Sequence, residues 1–151
     1  DTLRRDNDYN ILLCYDLDDL STPQHKYFIY TGNTRYGVQN LAYDPYTERM
    51  YMAVYKGKKS QFENFRLFAV DMRQDPYIGR LKGVPYQEDE VEQVDVCGGW
   101  HFKWGSTGLC PLGDGRYYIS ENSKTDEGHV CDAVMYMSSD DPESPFVRIS
   151  E

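Results

Sequence analysis

The sequence predicts an all-β fold assembled from a repeated four-stranded antiparallel unit, and three observations carry that expectation. The apolar runs are short, β-branched or aromatic, and bounded by Gly, Pro, Asn and Asp, which is the pattern of strands and turns. Tyrosine is abundant, with 14 residues, and its ring with a polar tip suits half-buried strands beside wet surfaces. The runs also recur along the chain in the same order.

Taken in order, strands are expected at "ILLCYDL" (11–17), "KYFIYTG" (26–32), "VQNLAYD" (38–44), "RMYMAVYK" (49–56) and "FRLFAVDM" (65–72). Five more follow at "YIGRLKG" (77–83), "STGLCPL" (106–112), "RYYISEN" (116–122), "AVMYMSS" (133–139) and "FVRIS" (146–150). "DPYTE" and "GDG" have the length and composition of hairpin connections, and Asp44 in the first is expected to be a turn residue.

"LLCYDL" returns as "LFAVDM" and again as "VMYMSS", each followed by an Asp- or Pro-rich turn and another short strand. "NLAYDPYTERMYMAVYKG" matches "GLCPLGDGRYYISENSK" with a shorter hairpin loop. Four strands recurring in this way are the signature of a β-propeller blade. The whole chain, 1–151, then reads as one propeller segment of about two and a half blades, with blade parts at 11–32, 38–83 and 106–150. A β-sandwich is the alternative, since it too is built from short hairpin-linked strands. Two and a half blades fall short of the about four to eight that close a ring. The propeller reading therefore expects the remaining blades from the same or another chain.

The two matched hairpins, "NLAYDPYTERMYMAVY" and "GLCPLGDGRYYISEN", resemble the inner hairpins of six-bladed propellers of the NHL-repeat and gluconolactonase (regucalcin-like) group. The likeness covers those two hairpins only. The gluconolactonase-like enzymes hold a divalent metal at the axis through carboxylate and asparagine side chains. The resemblance places the metal-binding asparagine on Gln39 and Thr107, and the strand-end aspartate on Tyr55 and Glu121. Of these only Glu121 carries a carboxylate.

The stretches "TRYGVQNLA" (34–42) and "FKWGSTGLC" (102–110) repeat a cation, an aromatic ring and a glycine just ahead of the first strand of a blade. Arg35 matches Lys103, Tyr36 matches Trp104, and Gly37 matches Gly105. On neighbouring blades both would project near the axis, where paired cations and stackable rings suit a small anionic molecule or a saccharide. Trp100 and His101 adjoin the second copy, and Glu121 and Asn122 would reach the same rim, completing the expected ligand-binding set. The plainer function of such a repeat is packing, with the ring filling a seam and glycine allowing a tight turn.

Catalytic residues are not identifiable: no nucleophile elbow, phosphate loop or His-Glu-x-x-His pair occurs. If chemistry follows binding, hydrolase- or lyase-like action on a glycan or lactone is suggested by fold analogy alone. Cys97, His101, His129 and Cys131 offer a possible zinc set, a Cys97–Cys131 disulfide or free thiols. Cys14 and Cys110 lie inside apolar runs and are expected to be buried.

The net charge of −9 disfavours nucleic acid as principal partner, and no apolar run is long enough for a membrane-spanning helix. The polar opening "DTLRRDNDYN" leaves the compartment undecided between cytoplasmic and secreted. The segment 84–99 reads as a long acidic loop bearing Glu88, Asp89, Glu90, Glu92 and Asp95, on the same expected face as the basic "KGKK" at 56–59. A competing function is thus a protein-interaction propeller that docks partners on this insert.

Overall fold

The computed structural model describes residues 8–84 and 89–149 of the chain. In it the described residues form twelve strands and no helix. They are β1 (Tyr9–Cys14), β2 (His25–Tyr30), β3 (Thr34–Asp44), β4 (Arg49–Lys56), β5 (Leu67–Asp71), β6 (Tyr77–Gly79), β7 (Val91–Val94), β8 (Val96–Trp100), β9 (Leu109–Pro111), β10 (Arg116–Thr125), β11 (Gly128–Ser138) and β12 (Phe146–Arg148). Three four-stranded sheets result. The first runs β1-β2-β7-β6, the central one β3-β4-β5-β8, and the last β9-β10-β11-β12.

Side-chain alternation explains how they stack. Along β4, Tyr51 and Ala53 face the last sheet while Met52 and Val54 face the first; β5 divides Leu67 and Ala69 from Phe68 and Val70 in the same way. A strand buried on both sides must be apolar throughout, which is why "RMYMAVYK" and "LFAVD" lack the polar half of an amphipathic strand. The last sheet contributes Leu109, Tyr117, Ile119, Tyr136 and Phe146 to one core, and the first contributes Leu12, Ile29 and Val94 to the other.

The last sheet follows chain order, as the repeat predicts. The other two exchange strands. The expected outer strand at 77–83 shrinks to β6, which leaves the central sheet for the first, and its place is taken by β8, paired to β5. The segment 84–99, expected to be a loop, thus supplies β7 and β8; Glu88 lies outside the described residues. β7 joins β2 in parallel, at Phe28 with Gln93 and Ile29 with Val94, and completes what the sequence suggested was a half unit. The exchange follows from burial: Val94 enters the core between the first and central sheets, whereas Tyr77 and Ile78 stay exposed.

Asp44 is a turn residue, as expected. It is fully buried and accepts hydrogen bonds from the backbone N–H of Tyr46 (3.1 Å) and Thr47 (3.2 Å) and from the Thr47 hydroxyl (2.8 Å). The Tyr117 hydroxyl of the last sheet also donates to it, tying two sheets together at the hairpin. Burial, reinforced by that carboxylate, holds the Tyr117 phenol above its ordinary range. Burial and the Glu121 carboxylate, which accepts the Tyr136 hydroxyl at 2.7 Å, push the Tyr136 phenol up to about 12.

Cys110 departs from expectation. Leu109 takes the inward slot of β9, so alternation turns Cys110 outward, and Cys14 is only half-buried. At the opposite end of the central sheet, Gly57 is pressed against β3's approach. A Cβ there would lie 1.8 Å from the Asn33 carbonyl oxygen, a backbone atom with little room to yield.

Two outcomes follow. Gly57→Ala should cost about 1–3 kcal/mol or more through overpacking, read as a lowered urea midpoint; an unchanged midpoint would contradict the close approach. Both buried phenols have folded pKa values above the unfolded value of about 10, so the unfolded state loses its protons first as pH rises. Their stabilisation is therefore complete below about pH 10 and disappears as pH climbs through the folded values. Urea melts between pH 9 and 12 should show this loss, and Tyr136→Phe should flatten part of it.

Candidate functional site

One end of the central sheet gathers the cations. β3 opens there with Thr34 and Arg35, β4 finishes there with Tyr55 and Lys56, and Arg66 stands just ahead of β5. Register brings Arg35 opposite Tyr55 and Thr34 opposite Lys56. Arg35, Tyr36, Tyr55, Lys56 and Arg66 line an open cleft of about 380 Å3. Among the described residues no carboxylate lines it and no ion pair engages its three cations.

The backbone shapes this cleft. Instead of preceding the strand, Arg35-Tyr36-Gly37 forms an irregularity within β3, where pairing to β4 slips between Arg35 and Val38. Tyr36 and Gly37 both adopt positive φ, 62° and 71°. Glycine takes this conformation freely, but for tyrosine it is strained by about 1–3 kcal/mol and needs outside support. The Gln39 amide supplies some, donating to the Tyr36 carbonyl at 3.0 Å. The strain throws the Tyr36 ring outward, 76% exposed, edge-on to Tyr55 with centroids 6.3 Å apart. The Arg35 guanidinium rests 5.3 Å from the Tyr36 ring centre.

The second copy repeats the cation-on-ring contact, with the Lys103 ammonium 4.1 Å from the Trp104 ring centre. It does not reach the cleft: Lys103 and Trp104 are absent from its lining, and Trp104 packs on the core between the central and last sheets. The two glycines play matching packing roles. Gly37 abuts Asn10 of β1, and Gly105, with φ of 98°, abuts Ala53 of β4, so each motif sits against the sheet before it. The Asn40 amide then donates to the Gly105 carbonyl at 3.0 Å, linking one copy to the other.

The remaining expected site residues spread along two sheets. Trp100 packs on the core and accepts the Arg66 backbone N–H through its carbonyl at 2.9 Å. His101 is exposed, its ring 5.0 Å from that of Phe65. Glu121 receives the Tyr136 hydroxyl and lies 3.6 Å from Arg148, while Asn122 accepts the Thr107 hydroxyl at 3.3 Å. Sequence reasoning missed the part of Tyr55, Lys56 and Arg66. Two signals were there: Lys56 opens the "KGKK" run, and Arg66 stands immediately before an apolar strand, which puts it at the same sheet end.

The positions that the propeller resemblance assigns to a divalent metal do not fit one. Glu121 alone offers a carboxylate, and it is engaged by Tyr136 and Arg148; Gln39 is spent on the bulge, and Tyr55 belongs to the cationic cleft. The zinc set fares no better. All four cysteines are free, Cys97 belongs to the central sheet and Cys131 to the last, and no three His, Cys, Asp or Glu residues cluster among the described residues. The acids of the insert are partly occupied: Glu92 lies 3.3 Å from His25, and Asp95 accepts the Tyr77 hydroxyl at 3.0 Å. A smaller cavity of about 180 Å3 between the first and central sheets is mainly apolar, and its polar side chains, Asp71 and Gln74, are already bonded to Arg73 and Asp95.

Compared with protein-family models, curated proteins and solved structures, the chain matches none of them.

Proposed function

We propose that the cleft at the end of the central sheet binds a small anionic molecule, such as an acidic or phosphorylated sugar. One observation carries this reading: three cations from three chain segments converge on a cleft that no carboxylate lines. Guanidinium groups bind carboxylate or phosphate through charge-assisted hydrogen bonds, and Lys56 adds a flexible point charge. Tyr36 and Tyr55 give an apolar, stackable wall of the kind sugar rings occupy, with hydroxyls to hydrogen-bond their edges. Strain at Tyr36 is consistent with a side chain held out for contact, since its ring packs on no core.

The three sheets are read as successive propeller blades, with the cleft on the rim that carries the loops. Their support is the repeat itself: the central and last sheets pair equivalent residues and set equivalent glycines against the preceding sheet. A layered sandwich accommodates the same stacking but gives no reason for the repetition. Binding is the function proposed, because among the described residues no carboxylate, imidazole or thiol lines the cleft.

Titration calorimetry with inorganic phosphate, glucose 6-phosphate, glucuronate and neutral glucose tests the site. At least one of the anions should bind and glucose should not, with affinity falling as salt rises. Arg35→Ala and Arg66→Ala should each weaken binding about tenfold or more. Failure of every anion to bind, or binding that the double variant leaves unchanged, would refute the reading.

A further inference from the structure

The central sheet buries one face against the last sheet, and the last sheet carries the same layout on a face that nothing described covers. Arg49 and Arg116 open equivalent strands after equivalent hairpins, so Tyr51 corresponds to Tyr118. Tyr51 is flanked across the strands by Ala42 and Ala69; Tyr118 is flanked in the same register by Cys110 and Met135. Tyr51 is 1% exposed, whereas Tyr118 is 44% exposed, and Met137 and Val147 extend its apolar surroundings. The outward turn of Cys110 thus has an explanation: it holds the position that Ala42 fills inside the central-to-last interface.

The first sheet presents the complementary side. Leu12 stands to β1 as Leu67 stands to β5, and both face the next sheet. Leu13 therefore holds the place of Phe68, which is buried against a preceding sheet, yet Leu13 is exposed and Ile11 beside it is too. Leu81 and Val84 form a small cluster with Tyr9 that Phe28 and Tyr30 join, so this face leaves Ile11 and Leu13 exposed.

We propose that the outer face of the last sheet packs on the outer face of the first sheet of a second copy, head to tail. The reciprocal contact then closes a two-fold ring of six sheets. Continuity is the warrant: the chain already makes this kind of contact twice, first to central and central to last, and the new contact is the next step of the same series. β7 and β6 extend the first sheet beyond β2, so it too has four strands. Two heterologous contacts related by a two-fold axis close on themselves, and six layers lie within the about four to eight that propellers use. The inference rests on the propeller reading of the three sheets and holds or fails independently of the anion cleft.

The test is the mass of the 151-residue chain by light scattering and sedimentation over a concentration series. The expected mass is twice 17.6 kDa. Tyr118→Glu and Ile11→Glu should each weaken the dimer about a hundredfold by placing a carboxylate in an apolar contact. Far-UV circular dichroism checks that each variant folds, and Met137→Lys and Leu13→Lys replace any that does not. Mixing the two variants restores one intact contact per pair, so heterodimers should reappear at high concentration. A monomer at every concentration overturns the proposal, as does a mass that grows without limit. So does a dimer indifferent to Ile11→Glu, which would show a self-complementary contact or pairing through the β1 edge.

Discussion

The described sheets are arranged around two strands, β4 and β5, that have no wet face. Once β4 and β5 alternate Tyr51, Ala53, Leu67 and Ala69 toward one side with Met52, Val54, Phe68 and Val70 toward the other, two further sheets are required to cover them. An apolar side chain of this size loses roughly 1.5–3 kcal/mol of transfer free energy if left in water, so neither covering layer is optional. Register is fixed by the same constraint, because a slip of one residue would exchange both cores at once. Polar links then fasten the layers at their ends: Asp44 with Tyr117 at the hairpin end, and Lys59 with Asp8, a buried pair 2.6 Å apart, at the other.

That constraint explains which parts of the fold were legible. Residues 106–149 form one sheet in chain order, so local hairpins and period-two alternation suffice to read them. β3, β4 and β5 are legible for the same reason. The exchange of β6 and β8 is not, because "YIGRLKG" and "VEQVDVCGGW" are both short, mixed segments, and nothing local says which sheet each joins. The choice is made by non-local burial of Val94 and by the pairing of Val70 with Val96, and neither leaves a periodic trace. Acidity misled in the same place. Glu92 and Asp95 suggested a solvated loop, whereas Glu92 lies on β7 between β2 and β6 with its carboxylate turned to the surface, and Asp95 sits at the break between β7 and β8.

The site was half legible. In the repeated cation-aromatic-glycine motif only the glycines take matching places, Gly37 and Gly105 each fitting against the preceding sheet at positive φ. Equivalence in a repeat does not make side chains converge, however. The two copies stay apart, and each cation settles on its own ring. Convergence arises instead within one sheet, where antiparallel order brings the start of β3, the end of β4 and the start of β5 to the same end. Arg35, Lys56 and Arg66 are 31 residues apart at most in sequence yet share one cleft, a fact visible only once the strands are paired.

The anion site proposed for a chain of net charge −9 raises an electrostatic question. At distances beyond the Debye length, about 8 Å at physiological ionic strength, the protein's mean field is screened and steers an anion neither in nor out. Inside the cleft the nearest charges decide, and those are three cations held close on rigid strand ends. Where the same sheet could have placed carboxylates among them, it did not: the acids of the described insert are drawn off to His25, Tyr77 and the first sheet. Partial desolvation by Tyr36 and Tyr55 strengthens each contact that an anion makes there, because the effective dielectric falls as water is displaced. On that reading the overall acidity is no obstacle, since a single small anion needs only the few ångströms that the cleft controls.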